Sequence, residues 1–116
     1  MANLKRNTIE LVTDVKEGEI ITETFLTPPF IPLSVVYQAM DLAAEMQKVK
    51  ADNEKELIDK LVDFVANEVY KGKFTKQNLI DGLHAPQAVE TLQAQIAFIA
   101  RGQQTDETKK FLAKKN

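Results

Sequence analysis

Hydrophobic residues recur at three- and four-residue intervals through residues 56–74, the most regular pattern in the chain. On a helix these positions form one wide apolar stripe, with the charged and amide side chains on the other side. The stripe consists of Leu57, Ile58, Leu61, Val62, Phe64, Val65 and Val69. Each such side chain stabilises a fold by roughly 1.5–3 kcal/mol when buried. This helix is therefore predicted to be the centre of the core. Gly72 is predicted to end it in the left-handed backbone conformation.

Residues 7–26 carry the pattern of a β-hairpin instead. Two runs of β-favouring residues flank the four-residue link Lys16-Glu17-Gly18-Glu19. Because two strands alone are marginally stable in water, the hairpin is expected to pack on helices or to pair with another chain. The alternation along the first strand predicts one shared face for Ile9, Leu11, Thr13 and Val15.

Three prolines between residues 28 and 32 end the strand pattern, and helical periodicity follows them. The first helix is predicted over about residues 33–49. Further helices are predicted over about residues 54–70, 75–81 and 86–101, with a glycine closing each of the last two. The apolar face of the first helix is predicted to contain Leu33, Val36, Tyr37, Met40 and Ala44.

Together these elements predict an α+β fold that is mainly α-helical. The N-terminal hairpin is expected to pack on a bundle of about four helices, and one domain is predicted to span residues 1–102. Residues 103–116 are polar except for Phe111 and Leu112. We therefore expect a mobile C-terminal tail that becomes helical when it binds a partner.

Composition narrows the function. A chain of 116 residues with a net charge of −2 has the size of one domain and no basic surface for nucleic acid. The absence of cysteine excludes disulfides and thiolate metal sites. No window reaches the roughly 18 apolar residues of a membrane span, and the N-terminus has no apolar signal region. We expect a cytosolic protein that binds neither nucleic acid nor membrane.

Residues with catalytic chemistry are few. His84 is the only histidine and Ser34 the only serine, and neither lies in a motif of nucleophilic catalysis. Asp59 and Asp63 stand one helical turn apart, which is typical of a solvated helix face when no further oxygen ligands are near. We predict no enzyme activity, no cofactor and no metal site.

The chain resembles the tail assembly chaperones of long-tailed phages and prophages of Gram-positive bacteria. The resemblance covers residues 3–85, in the segments NLKRNTIEL, PPFIPLSVVYQAMDLAAEM and ELIDKLVDFVANEVYKGKFTKQNLIDGL. It is the order and spacing of these hydrophobic, proline and glycine positions that match. The residues that carry it are Lys5, Thr8, Ile9, Phe30, Ile31, Pro32, Tyr37, Ala39, Leu61, Val62, Phe64, Val65, Phe74, Thr75, Leu79, Gly82 and Leu83.

The resemblance implies a non-enzymatic morphogenesis factor in the cytoplasm of the host bacterium. Such proteins keep the long tape measure protein soluble while tail-tube subunits polymerise around it, and they are absent from the mature virion. The family also makes a longer product by programmed ribosomal frameshifting near the end of the gene. The terminal Lys114-Lys115-Asn116 is compatible with an A-rich slippery stretch in the gene.

A chaperone of this kind needs repeated, modest apolar contacts, which a homo-oligomer presents with avidity. We expect self-association through the hairpin edge or the region from Pro28 to Tyr37, and client binding through the fourth helix or the tail. The candidate self-association residues are Val12, Ile20, Ile21, Phe30, Ile31 and Tyr37. The candidate client-binding residues are Val89, Leu92, Ile96, Ile99, Phe111 and Leu112.

Two other classes of function remain open from the sequence. A head-to-tail connector or tail completion protein would be a structural part of the virion. A small phage regulatory protein would instead bind one folded partner in a fixed ratio. Detection of the chain in purified particles separates the connector from a chaperone.

Overall fold

A computed structural model describes residues 4–114 as a β-hairpin followed by helices. This confirms the predicted α+β, mainly α-helical fold class. The strands are β1 (Thr8–Lys16) and β2 (Glu19–Leu26). The helices are α1 (Ser34–Gln47), α2 (Glu54–Phe64), α3 (Lys76–Gly82), α4 (Ala88–Arg101) and α5 (Asp106–Lys114). A π-helical turn (Val65–Val69) follows α2, and a 3₁₀ turn (Ala85–Gln87) precedes α4.

The turn of the hairpin is tighter than predicted. Lys16 pairs with Glu19, so the loop contains only Glu17 and Gly18 rather than four residues. Both have positive φ angles, 51° and 82°, which is the backbone of a type I′ turn. This turn matches the right-handed twist of the two strands, which explains why they pair up to the loop.

A β-bulge changes the predicted faces of β1. Ile9 and Leu11 are buried against the helices as expected, but the register shifts between Val12 and Asp14. The extra residue, Thr13, inverts the alternation beyond it, so Val15 lies on the opposite face from Leu11. The predicted single face from Ile9 to Val15 is therefore wrong in its outer half.

The helix predicted to be the centre of the core is buried as expected. Six of its seven predicted apolar residues are buried, and Ile58 packs partly buried against the same cluster. The helix ends in a π turn, in which the Tyr70 N–H donates to the Val65 carbonyl at 3.1 Å. Lys71 and Gly72 follow with positive φ angles, which turns the chain back toward α3.

Helix α3 packs directly on the hairpin. Thr75 caps it, accepting a hydrogen bond from the Asn78 N–H at 3.0 Å, and the Asn78 side chain completes a capping box. At its other end Gly82 lies against β1. A Cβ atom at this position would stand 3.0 Å from both the Leu11 Cβ and the Val12 carbonyl oxygen. Glycine is therefore required here by close packing, and its backbone conformation does not demand it.

The C-terminal segment differs from the expected mobile tail, because Asp106–Lys114 forms helix α5. Thr108 of this helix is fully buried and hydrogen-bonds to Thr8 of β1. Gly102, with φ 70°, ends α4 and lets the chain turn back toward the hairpin. Lys115 and Asn116, which belong to the frameshift hypothesis, lie outside the described residues.

Candidate functional site

The first candidate is an exposed apolar surface on α1 and the segment that enters it. Phe30, Leu33, Tyr37 and Met40 are 65%, 64%, 63% and 56% exposed. The last three recur at helical spacing and therefore lie on one side of the helix. We call these four residues the α1 surface. Four large side chains exposed to this extent form an apolar patch of roughly 500 Å², at the upper end of what monomers usually display.

Helix α1 has a second apolar face besides the predicted one. Its buried face contains Val35, Ala39 and Leu42, not Leu33, Tyr37 and Met40. Both faces of this helix are apolar, and such a helix is normally covered on both sides. Of the sequence-predicted self-association residues, Phe30 and Tyr37 lie on the exposed side. Ile31 is half-buried and packs against the core, which anchors the segment between them.

The second candidate is the outer half of the hairpin, residues 13–24, which we call the hairpin arm. Val15 and Ile20 are 61% and 66% exposed and face each other across the strands. Ile21 is exposed on the other face, and Val12 is half-buried at the base. The arm carries four acidic residues and one lysine, for a net charge of −3. It therefore combines exposed aliphatic side chains with a strong negative charge.

The third candidate is a groove of about 600 Å³ between the hairpin, α4 and α5, which we call the α4–α5 groove. Glu10 and Thr24 line it on the hairpin side, and Ala94 and Phe111 line it on the helical side. Lys110 and Lys114 stand at its α5 side and Glu90 at its α4 side, so both charge signs border it.

The sequence-predicted client residues separate into two groups. Leu92, Ile96 and Ile99 are buried in the core and face no solvent in this conformation. Val89 is exposed on the first turn of α4, and Phe111 and Leu112 are half-buried on α5. Only the second group is therefore accessible to a client of the folded chain, and of its three residues Phe111 lines the α4–α5 groove.

A buried polar network joins the hairpin to the C-terminal helices. The Gln95 side chain accepts from the Tyr70 hydroxyl at 2.6 Å and from the Asn7 amide at 3.2 Å, and it donates to the Thr8 carbonyl at 2.9 Å. The Thr108 hydroxyl donates to Asn7 Oδ1 at 2.7 Å. Within residues 4–114 every buried polar side-chain atom has a hydrogen-bond partner. This network fixes the position of α5 and thereby shapes one wall of the α4–α5 groove.

This network was not predicted from the sequence, and its role is structural. Burial raises the pKa of the Tyr70 hydroxyl well above its ordinary value, and the hydrogen bond to Gln95 opposes that shift only in part. The hydroxyl is therefore protonated at neutral pH and acts as a donor. The only sequence signal was the polar character of Gln95 within the apolar pattern of α4.

The residues considered for catalysis or metal binding have ordinary structural surroundings. Asp59 pairs with Lys76 at 2.9 Å, and Asp63 accepts a hydrogen bond from Asn67 at 2.8 Å. His84 and Ser34 are exposed next to helix starts. Among the residues that the structure covers, no cluster of three or more histidine or acidic side chains could hold a metal ion.

No helix within residues 4–114 combines the length and apolar character needed to cross a membrane. A family model described as "Phage tail chaperone protein" matches residues 3–116, which confirms the resemblance at the level of the family. No curated protein and no solved structure matches the chain.

Proposed function

The chain belongs to the phage tail chaperone protein family, and from this membership we propose that it binds the tape measure protein and tail-tube subunits during tail assembly. It acts in the cytoplasm of the host bacterium and is absent from the mature virion. Its work is non-enzymatic, because a chaperone needs only reversible contacts that cover apolar client segments until assembly buries them.

A chaperone of this kind presents repeated sites by self-association, and the observation that supports self-association is the α1 surface. A folded chain that leaves roughly 500 Å² of large apolar side chains exposed on one helix and its entry segment has a surface suited to a protein partner. Phe30 and Tyr37 supply aromatic side chains, which contribute large contact areas at low entropic cost. Leu33 and Met40 complete the helical stripe, and the flexible thioether of Met40 adapts to partners of different shape.

Self-association uses this same α1 surface. Two copies that pack α1 against α1 bury the α1 surface on each copy. With the residues that border the surface, the buried area approaches the roughly 800 Å² per partner of a standard interface. The hairpin residues Val12, Ile20 and Ile21 fit this role less well, because two arms of net charge −3 repel each other. A longer frameshift product would share the α1 surface and enter the same oligomers.

Clients bind the α4–α5 groove and the exposed Val89 on the first turn of α4. Phe111 and Ala94 provide apolar contacts in the groove, and charges of both signs border it. Oligomers formed through α1 therefore present many such grooves at once. Each contact is weak, but a long client with repeated motifs contacts many grooves at once and is therefore bound strongly through avidity.

Co-expression with the tape measure protein encoded beside the gene tests the proposal. We expect the client to become soluble and to co-purify with this chain, while mass spectrometry of purified virions detects no copy of it. The variant Val89→Lys should reduce co-purification. Ile80→Lys is the matched control, since Ile80 is also an exposed isolated aliphatic residue but lies on α3. Stoichiometric recovery of the chain in virions would contradict the proposal and favour a connector.

A further inference from the structure

The two edges of the hairpin differ in their surroundings. The outer edge of β1 is covered, because the Thr8 N–H donates to Thr108 at 2.8 Å and the Thr8 carbonyl accepts from Gln95 at 2.9 Å. Further along the same edge, Gly82 of α3 lies against the main chain of Val12. Helices α3, α4 and α5 therefore cover the outward main chain of β1 at Thr8 and Val12, and in the arm the Val15 N–H already donates to the Asp14 side chain at 2.8 Å.

The outer edge of β2 is open in the arm. Strand pairing alternates, so the peptide groups of Ile20, Thr22 and Thr24 point away from β1, as those of Thr8 and Val12 point away from β2. Within residues 4–114 no hydrogen bond from outside the hairpin reaches these three peptide groups. The next outward carbonyl, that of Leu26, already accepts from Lys73 at 2.8 Å, which limits the open edge to the arm.

The side chains of β2 along this edge lie on two faces of different chemical character. Glu19, Ile21 and Glu23 lie on one face of β2, and Ile20, Thr22 and Thr24 lie on the other. A third strand beside β2 would thus place alternate side chains next to two carboxylates on one face. Its remaining side chains would meet a surface of β-branched residues that includes the exposed Ile20.

We propose that the outer edge of β2 in the hairpin arm binds an extended segment of another protein, in which basic residues alternate with β-branched or other apolar residues. The segment adds a third strand to the hairpin, and its main chain hydrogen-bonds to Ile20, Thr22 and Thr24. The net charge of −3 selects a basic segment and disfavours a second copy of the arm. This partner is an extended segment, whereas the α1 surface contacts α1 of a second copy. The binding at the arm does not depend on that self-association.

A fluorescein-labelled heptapeptide, Lys-Val-Lys-Thr-Lys-Val-Lys, is the probe. Fluorescence anisotropy should detect binding to the full chain that weakens about tenfold as salt rises from about 0.05 M to about 0.5 M. A scrambled peptide, Lys-Lys-Lys-Lys-Val-Thr-Val, has the same charge without the alternation and should bind about tenfold more weakly. Equal binding of the two peptides would overturn the proposal, because charge alone would then account for the affinity.

Two pairs of variants separate edge pairing from general attraction. Thr22→Pro removes an outward N–H and places a ring on the edge without removing a hairpin hydrogen bond, so it should abolish binding while circular dichroism stays unchanged. Thr22→Ala keeps the N–H and should bind as the original chain does. Unchanged binding by a folded Thr22→Pro chain would overturn the proposal.

The second pair tests the charge. Glu19→Gln with Glu23→Gln should weaken peptide binding about tenfold. Glu54→Gln with Glu56→Gln changes the net charge by the same amount, but on α2, and should leave peptide binding unchanged. Equal effects of the two double variants would overturn the assignment to the arm. Variants of the α1 surface should not alter peptide binding, so this result is independent of the chaperone proposal.

Discussion

The hydroxyl of Thr108 accepts a hydrogen bond from the main-chain N–H of Thr8 at 2.8 Å, across a separation of 100 residues. The contact joins the last helix to the first strand and is buried in both residues. It satisfies a strand-edge N–H that would otherwise be buried without a partner. The two ends of the described chain are therefore held together by a polar contact rather than by apolar packing alone.

Thr108→Val should lower the free energy of unfolding by about 1–3 kcal/mol, because it leaves the Thr8 N–H unpaired and removes a donor from Asn7 Oδ1. Urea unfolding followed by circular dichroism measures the change. Thr108→Ser keeps the hydroxyl and should lower the free energy of unfolding by less than Thr108→Val does. The neighbouring exposed Lys109→Ala should stay within about 0.5 kcal/mol of the original chain. A Thr108→Val chain as stable as the Lys109→Ala control would show that the network does not hold α5.

Gly82→Ala should destabilise the protein by about 1–3 kcal/mol through overpacking. The new methyl group would meet the Leu11 Cβ and the Val12 carbonyl oxygen at 3.0 Å, and neither atom belongs to the flexible end of a side chain. Differential scanning calorimetry measures the resulting fall in Tm. An unchanged or raised Tm would mean that α3 moves away from β1 without cost, which the packing described above does not allow.

Tyr70 should make stability fall at high pH. Its pKa is raised by burial in the folded state, so the folded chain retains a proton that the unfolded chain releases. The contribution is fully present below about pH 10, the unfolded value, and is lost as pH rises above it by up to about 1.4 kcal/mol per pH unit. Urea unfolding from about pH 8 to about pH 11 measures the slope.

Tyr70→Phe provides the comparison for this pH dependence. The variant loses a hydrogen bond to Gln95 and is less stable at neutral pH by about 1–3 kcal/mol. The stability gap between the two chains should narrow above about pH 10, because only the original chain must deprotonate a buried hydroxyl on unfolding there. A gap that stays constant across this range would contradict the burial of Tyr70.

Tyr37→Glu combined with Met40→Lys should convert oligomers to monomers in light scattering while leaving the helical circular dichroism unchanged. The pair places charges within the α1 surface without changing the net charge, and both side chains are exposed, so the fold should tolerate them. Gln38→Glu with Gln93→Lys introduces the same charges at exposed positions outside the surface and should not alter assembly. Oligomers that survive the first pair would place self-association elsewhere.

The sequence predicted the types of element well because each has a strong local signal. The apolar stripe from Leu57 to Val69 and the Gly72 exit made the central helix recognisable, and β-branched runs marked the hairpin. The buried face of α1 could not be chosen in this way. Apolar residues occupy both sides of that helix, so periodicity alone fits Leu33, Tyr37 and Met40 as well as Val35, Ala39 and Leu42.

The features that sequence reasoning missed depend on contacts between distant residues. Thr13 belongs to a continuous β-favouring run, and only its pairing with β2 makes it a bulge. Likewise, α5 looks like a polar tail because Thr108, and Gln104 and Thr105 just before the helix, find hydrogen-bond partners near the other end of the chain. Local composition carries no information about such partners.

The most direct test of the chaperone account is the soluble fraction of the tape measure protein, measured by centrifugation of cells that express it with and without this chain. The account predicts that the client is mostly insoluble alone, mostly soluble with the original chain, and mostly insoluble with the Val89→Lys variant, while Ile80→Lys acts as the original chain does. A client that is equally soluble with and without the chain would contradict the account.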